Sequence, residues 1–118
     1  MLLVEDEESV RDLTREALEH YGYTVLDAGR PSDALRICQR HGGPVHLLLT
    51  DVVMPEMNGY ELARRVTAAR PGIRVLFVSG YANVAGDPGG PLPPRAVLLE
   101  KPFAHEALLA KVREVLEA

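Results

Sequence analysis

Four short apolar runs divide the chain, and each stops at residues with chemistry to offer. Leu2-Leu3-Val4 leads into Glu5-Asp6, Leu47-Leu48-Leu49-Thr50 into Asp51, Val75-Leu76-Phe77-Val78 into Ser79-Gly80, and Val97-Leu98-Leu99-Glu100 into Lys101. Such runs suit strands buried on both faces, and the stretches between them carry apolar residues at helical spacing. The pattern predicts strands at Leu2–Glu5, Thr24–Ala28, Val45–Thr50, Arg74–Val78 and Ala96–Glu100, with the third, apolar on both faces, at the centre. A first helix turns Val10, Leu13, Thr14, Ala17, Leu18 and Tyr21 inward and ends with Gly22 in the C′ position. A second runs from Pro31 or Ser32 to His41, with proline in its first turn and Gly42-Gly43 as its stop. A third starts from Asn58 as N-cap, turns Leu62, Ala63, Val66 and Ala69 inward, and stops before Pro71. The last covers His105–Glu117 with a stripe of Leu108, Leu109, Val112, Val115 and Leu116.

The alternation breaks between Gly80 and Val97. Glycines and prolines crowd Pro88 to Pro94, with Gly86 just before. Each interior proline costs a helix about 3 kcal/mol and each glycine about 1 kcal/mol, so at most one turn forms, at Tyr81–Ala85. The fourth helix is therefore expected to be short or replaced by a loop. The Gly/Pro segment 86–94 is a solvated connector on composition, with a partner-binding loop as the alternative.

Composition narrows the function classes. With 118 residues the chain is one domain, 1–118. A net charge of −4 and the lack of any Lys/Arg cluster argue against direct nucleic-acid binding. No apolar run approaches the length of a membrane span and no signal peptide precedes the first strand, so the expected setting is cytoplasmic, with the domain either free-standing or cut from a longer protein. The single cysteine, Cys38, lies beside Ala34 and Leu35 on a helical pattern and is expected to be a reduced, buried thiol. His20, His41, His46 and His105 are scattered without metal-ligand spacing.

In open parallel sheets, function gathers outside the carboxyl ends of the strands. Four strand ends would therefore place three carboxylates, a hydroxyl and an ammonium in one crevice, a set that suits a divalent cation and a phosphoryl group. An ordinary structural reading competes at each residue. Glu5 to Glu8 could simply favour a helix N-terminus, which is the better account of Glu7 and Glu8 but not of Asp6. Asp51 could close a strand into a turn, Ser79 could start a loop, and Lys101 could be a surface lysine. A Ca²⁺ EF-hand loop is excluded because its alternating acids and glycine are missing.

The segments Leu2-Leu3-Val4-Glu5-Asp6-Glu7, Asp51-Val52-Val53-Met54-Pro55-Glu56-Met57-Asn58-Gly59, Val78-Ser79-Gly80 and Lys101-Pro102-Phe103, in this order and each at a strand end, resemble the receiver domain of two-component response regulators. The resemblance spans essentially the whole chain. It implies an α/β fold of the CheY-like (βα)5 type, a doubly wound, flavodoxin-like three-layer sandwich with parallel sheet order 2-1-3-4-5. It also implies that Asp51 accepts a phosphoryl group from a histidine kinase or histidine phosphotransfer protein and so switches interactions with an output domain or partner protein. Catalysis is then confined to the domain's own Asp51. The Ser79-Gly80-Tyr81 and Leu99-Glu100-Lys101-Pro102-Phe103 wording is most similar to receivers of hybrid histidine kinases.

The resemblance further assigns roles. Asp6, Asp51 and the Val53 carbonyl would ligate Mg²⁺ (with Mn²⁺ as the substitute), and Glu5 would act through a water. Ser79, the Gly80 amide and Lys101 would hold the phosphoryl oxygens, and a cis Lys101–Pro102 bond would aim the ammonium. Val53 and Tyr81 would flank the attacking water, and since neither orients a water well, slow self-dephosphorylation is expected. The position of the family's aromatic switch partner to Ser79 is here Leu98, which lacks a hydroxyl and has a smaller reach. With the fourth helix interrupted as well, dimerisation through the family's usual output face is not expected. Two other functions compete. One is a degenerate receiver acting as a constitutive interaction module, disfavoured by the intact Asp6, Asp51, Ser79 and Lys101. The other is a Mg²⁺-dependent phosphatase, which lacks a cap domain and has Val53 where a second acid is required.

Overall fold

A computed structural model describes residues 1–79, 97–100 and 103–117, with the backbone alone for Ser79. Its elements in chain order are β1 (Leu2–Val4), α1 (Glu8–His20), β2 (Leu26–Ala28), α2 (Pro31–Arg40), β3 (Leu47–Asp51), α3 (Gly59–Ala69), β4 (Arg74–Ser79), β5 (Val97–Glu100) and α4 (His105–Glu117). All strand pairings are parallel, in the order β2-β1-β3-β4-β5 expected from the sequence. The expected loss of a helix between β4 and β5 falls on residues 80–96, outside the described residues, so α4 here is the chain's last helix.

Successive strand residues point to opposite faces, and each face has its own core. Leu2, Val4, Leu48, Val75 and Phe77 meet Ala34 and Cys38 of α2 and Tyr60, Leu62, Ala63 and Val66 of α3. Leu3, Leu47, Leu49, Leu76 and Val78 meet Leu18 of α1 and Leu108, Leu109, Val112 and Val115 of α4. Every residue of β3 is buried, as a central strand requires, and Cys38 is a buried free thiol. Phe77 meets Tyr60 edge to face at 4.9 Å, a favoured aromatic geometry.

The punctuation works as expected at three helix ends. Gly22, at φ +94°, lets the Gly22 and Tyr23 amides turn back to the Glu19 and Leu18 carbonyls and close α1. Pro31 occupies the first turn of α2. Asn58 caps α3 by accepting from the Glu61 amide at 2.9 Å. The stripe of α1 is narrower than expected. Thr14 and Leu18 are buried, whereas Leu13 and Tyr21 are more than half exposed and line a groove between α1 and α4. Leu13 lies about 100° around the helix from Thr14, at the rim of the face that meets the sheet. Strand two is also shorter than expected. Thr24 and Val25 precede the ladder because β1 begins only at Leu2, which pairs with Leu26.

Arg70, just past α3, closes the end of α2. Its guanidinium donates to the carbonyls of Cys38, His41 and Gly43 at 2.7–3.2 Å, partners the helix end cannot supply itself. Replacing Arg70 by alanine should lower stability by about 2–3 kcal/mol in urea unfolding, the range for losing charge-assisted hydrogen bonds to half-buried carbonyls. Lysine should recover little, because it cannot reproduce the planar fork.

Candidate functional site

The acidic residues meet where β1 and β3 end. One step beyond the Val4–Thr50 pair, Glu5 stands level with Asp51 on the adjacent strand. Both side chains leave the sheet on the face that α1 and α4 cover. The Glu5 amide donates to the Ala28 carbonyl at 3.1 Å, so β2 fixes this end of β1 as well. Asp6 follows as the chain departs for α1. Glu5, Asp6 and Asp51 each offer a carboxylate oxygen, and these oxygens all lie within 4.8 Å of one another. Glu5 and Asp51 are buried, 4% and 7% exposed, and Asp6 forms the open rim.

Packing acids this tightly has an electrostatic cost. Partial desolvation and then the neighbouring Glu5 carboxyl hold Asp6 above its ordinary carboxylate pKa, and Glu7 adds repulsion. Part of the Glu5 charge is met locally, since its Oε2 accepts from the Glu7 amide at 3.3 Å. The donor set is entirely hard oxygen, open on one side, and lacks nitrogen or sulfur ligands. It fits Mg²⁺ or Mn²⁺ and not a softer metal. Beneath the carboxylates, Leu3, Val10, Thr14, Val78 and Phe103 wall a cleft of about 20 Å³. That is room for a water-sized occupant beneath the carboxylates.

The other expected site residues are placed as follows. The Val52 amide continues the sheet by donating to Val78 at 3.1 Å, and Val53 begins the loop after β3 with its side chain 64% exposed. Ser79 ends β4, one residue beyond the Val78 that pairs with Asp51, so its backbone reaches the same edge of the sheet. Leu98 pairs with Phe77 and is partly exposed on β5. Gly80, Tyr81, Lys101 and Pro102, together with the Ser79 side chain, lie outside the described residues.

Three further residues shape the site and were not singled out by the sequence. Arg11 donates to the Glu5 carbonyl at 2.9 Å and pairs with Asp27 at 3.5 Å, bracing the backbone of the acidic pair from α1. Gly59 packs directly on the Asp51–Val52 backbone, and its amide donates to the Val52 carbonyl at 2.7 Å. Glu56, at φ +73°, bonds to the start of α2. The signal for Gly59 was present in Asn58-Gly59, whereas nothing local marks Arg11 or Glu56.

A family model described as the response regulator receiver domain matches residues 1–113. The chain belongs to the response regulator receiver family. As a receiver it is a signalling switch of the phosphoacceptor family of two-component systems. The receiver is 40% identical to the response regulator receiver protein CpdR of Brucella abortus (strain 2308), over 100% of its own length and 97% of that protein's. It is 43% identical to the sensor kinase CckA of the same organism, but its aligned part is 99% of this chain and only 12% of that protein. Among solved structures it is similar to the receiver domain of the hybrid histidine kinase CckA, with TM-score 0.83 and 31% identity over 98% of this chain and 96% of that one. A CheY-like receiver from Methanospirillum hungatei JF-1 aligns with TM-score 0.81 and 29% identity, covering 98% of this receiver and 91% of that chain. Among the described residues no helix is long and apolar enough to cross a membrane.

Proposed function

We propose that this chain, as a single receiver unit of residues 1–118, takes a phosphoryl group on Asp51 from a histidine kinase or histidine phosphotransfer protein in the cytoplasm. The modified domain then changes its affinity for an output domain or partner protein. The observation that carries this reading is the convergence of Glu5, Asp6 and Asp51 at the ends of adjacent strands, with oxygens within 4.8 Å. Three converging carboxylates, with Asp6 at the open rim repelled by Glu5, suit a cation and a phosphoryl group.

The chain's own residues divide the work. Asp51 attacks phosphorus through a carboxylate oxygen. The phosphorus–nitrogen bond of the donor phosphohistidine breaks as the new phosphorus–oxygen bond forms, and the imidazole leaves with the electron pair. Asp6, Asp51 and the Val53 carbonyl would hold Mg²⁺, with Glu5 behind them. When bound, the ion neutralises the acids and offsets charge on the phosphoryl oxygens. Ser79, the Gly80 amide and Lys101 are assigned to those oxygens, and the Lys101–Pro102 bond to aiming the ammonium. Leu98 takes the position of the switch partner, where an aliphatic side chain can report a shift of Ser79 only by packing. Val53 and Tyr81, flanking the approach to Asp51, cannot orient a water strongly, so the phosphorylated form should be long-lived.

The test is intact-mass spectrometry after incubation with Mg²⁺ and acetyl phosphate. One phosphoryl group should appear on the wild type and be absent from Asp51→Asn and from metal-free samples. Chased after donor removal, the adduct should outlast a scale of seconds. A folded, Mg²⁺-binding wild type that gains no mass would instead establish a constitutive interaction module.

A further inference from the structure

We infer that Glu56 is a positioning residue for the Asp51 site. Its carboxylate ties the loop after β3 to the first turn of α2 and so fixes the loop backbone from Val53 onward. The inference rests on the reading of Asp51 and Val53 given above.

Glu56 is the one non-glycine residue with positive φ among the described residues, at +73°. The Met57 amide donates to the Pro55 carbonyl across it at 2.9 Å, making a γ-turn of the rarer, strained hand. A side chain in such a turn persists only where its surroundings over-determine it. Here the surroundings are specific. The Ser32 amide donates to Glu56 Oε1 at 3.1 Å, and the Ser32 hydroxyl donates to Oε2 at 3.2 Å. The Ser32 amide is among the unpartnered donors of the first turn of α2, where the N-cap residue Arg30 contributes no side-chain bond. A carboxylate is also the group a helix N-terminus favours. The glutamate therefore supplies from 24 residues away the cap that α2 lacks, and in return α2 holds Glu56 in its strained turn.

The loop is also held by Met54 and Met57, which pack against the core, and by the Thr50 hydroxyl donating to Met54 Sδ at 3.7 Å. Its far end is pinned by the Asn58 cap and by Gly59 against the Asp51–Val52 backbone. Between these points Val53 is exposed, and Pro55 and Glu56 are exposed as well. Glu56 is thus the charged anchor between Val53 and the start of α3, beside the apolar contacts of Met54 and Met57. Without it, φ at residue 56 is free to return to negative values and to shift the backbone between the Met54 contact and Met57.

The test separates the tether from mere stability by comparing Glu56→Ala, Glu56→Gly and Glu56→Gln with wild type. Thermal midpoints are read beside Mg²⁺ affinity by calorimetry and amide exchange of the loop in metal-free protein. Glu56→Ala should lower the midpoint, speed exchange at Met57, and weaken Mg²⁺ binding by about tenfold, the loss typical of groups that orient metal ligands. Glu56→Gly should recover part of the midpoint, because glycine accepts the turn while α2 still loses its cap, yet leave exchange fast and Mg²⁺ binding weak. Glu56→Gln, which keeps one acceptor oxygen but loses the second acceptor and the charge, should fall between wild type and alanine. The inference is overturned if Met57 exchange in Glu56→Ala matches wild type, or if Glu56→Gly restores affinity together with stability. Failure of the wild type to accept a phosphoryl group, with this exchange pattern intact, would count against the Asp51 reading alone.

Discussion

Gly59→Ala should destabilise the receiver by roughly 2–3 kcal/mol and abolish phosphoryl uptake at temperatures where the wild type is active, as overpacking against fixed neighbours does. Gly59 is buried at the first position of α3. A Cβ added there would run into the Asp51 carbonyl oxygen and come within 3.1 Å of the Val52 Cα. Both neighbours are backbone, so no rotamer change relieves the clash. The strand carrying Asp51 or the start of α3 must move, and the 2.7 Å bond from the Gly59 amide to the Val52 carbonyl would be strained with it. Helix propensity alone argues the other way, since alanine favours a helix by about 1 kcal/mol over glycine. Urea midpoints with intact-mass measurements decide between the two. A more stable Gly59→Ala variant that still takes up phosphoryl would mean that the contact with Asp51 is not limiting.

Mg²⁺ should stabilise the wild type by about 2.7 kcal/mol at a concentration a hundredfold above its dissociation constant, if it binds the folded chain alone. For a domain of this size that is a rise of roughly 10 °C in the thermal midpoint. The gain should vanish in Asp51→Asn, and metal-free Asp6→Asn should be more stable than metal-free wild type by roughly 0.5–1 kcal/mol, a figure reduced for the exposure of Asp6. The pH dependence follows from the direction of the Asp6 shift. Asp6 binds its proton more tightly in the folded state than in the unfolded chain. Its contribution is therefore fully present below the unfolded carboxylate pKa and is lost as pH rises through the higher folded value. Metal-free protein should lose stability across that window, and Mg²⁺ should remove the loss. Calorimetric scans at several pH values, with Mg²⁺ and with a chelator, measure this. A metal-free midpoint that rises through the window would show that hydrogen bonding to the acids outweighs their repulsion.

Much of this arrangement is legible in the chain because its signals are local. Continuous apolar runs mark buried strands, Gly22 and Asn58 mark helix ends, and the residues that stop each run fall at one edge of the sheet. What escaped has physical causes. The ends of β2 depend on where β1 begins, which no pattern in Thr24–Ala28 reveals. Leu13 and Val10 look equivalent in sequence, yet only rotation about α1 decides that Leu13 faces the groove. Arg70 and Glu56 serve a helix that lies more than twenty residues earlier in the chain, and long-range capping leaves no trace in spacing.

Those two residues together stiffen one flank of the molecule. Helix α2 is fastened at its first turn by Glu56, ahead of α3, and at its last turn by Arg70, behind α3. The pair is lashed at both ends, so this flank behaves as a chassis that resists deformation. The opposite flank carries a tie of the same kind, since Arg74 of β4 donates to the Val115 carbonyl near the end of α4 at 2.7 Å. Strain arising from charge added at Asp51 should therefore be taken up at the strand ends rather than by α2.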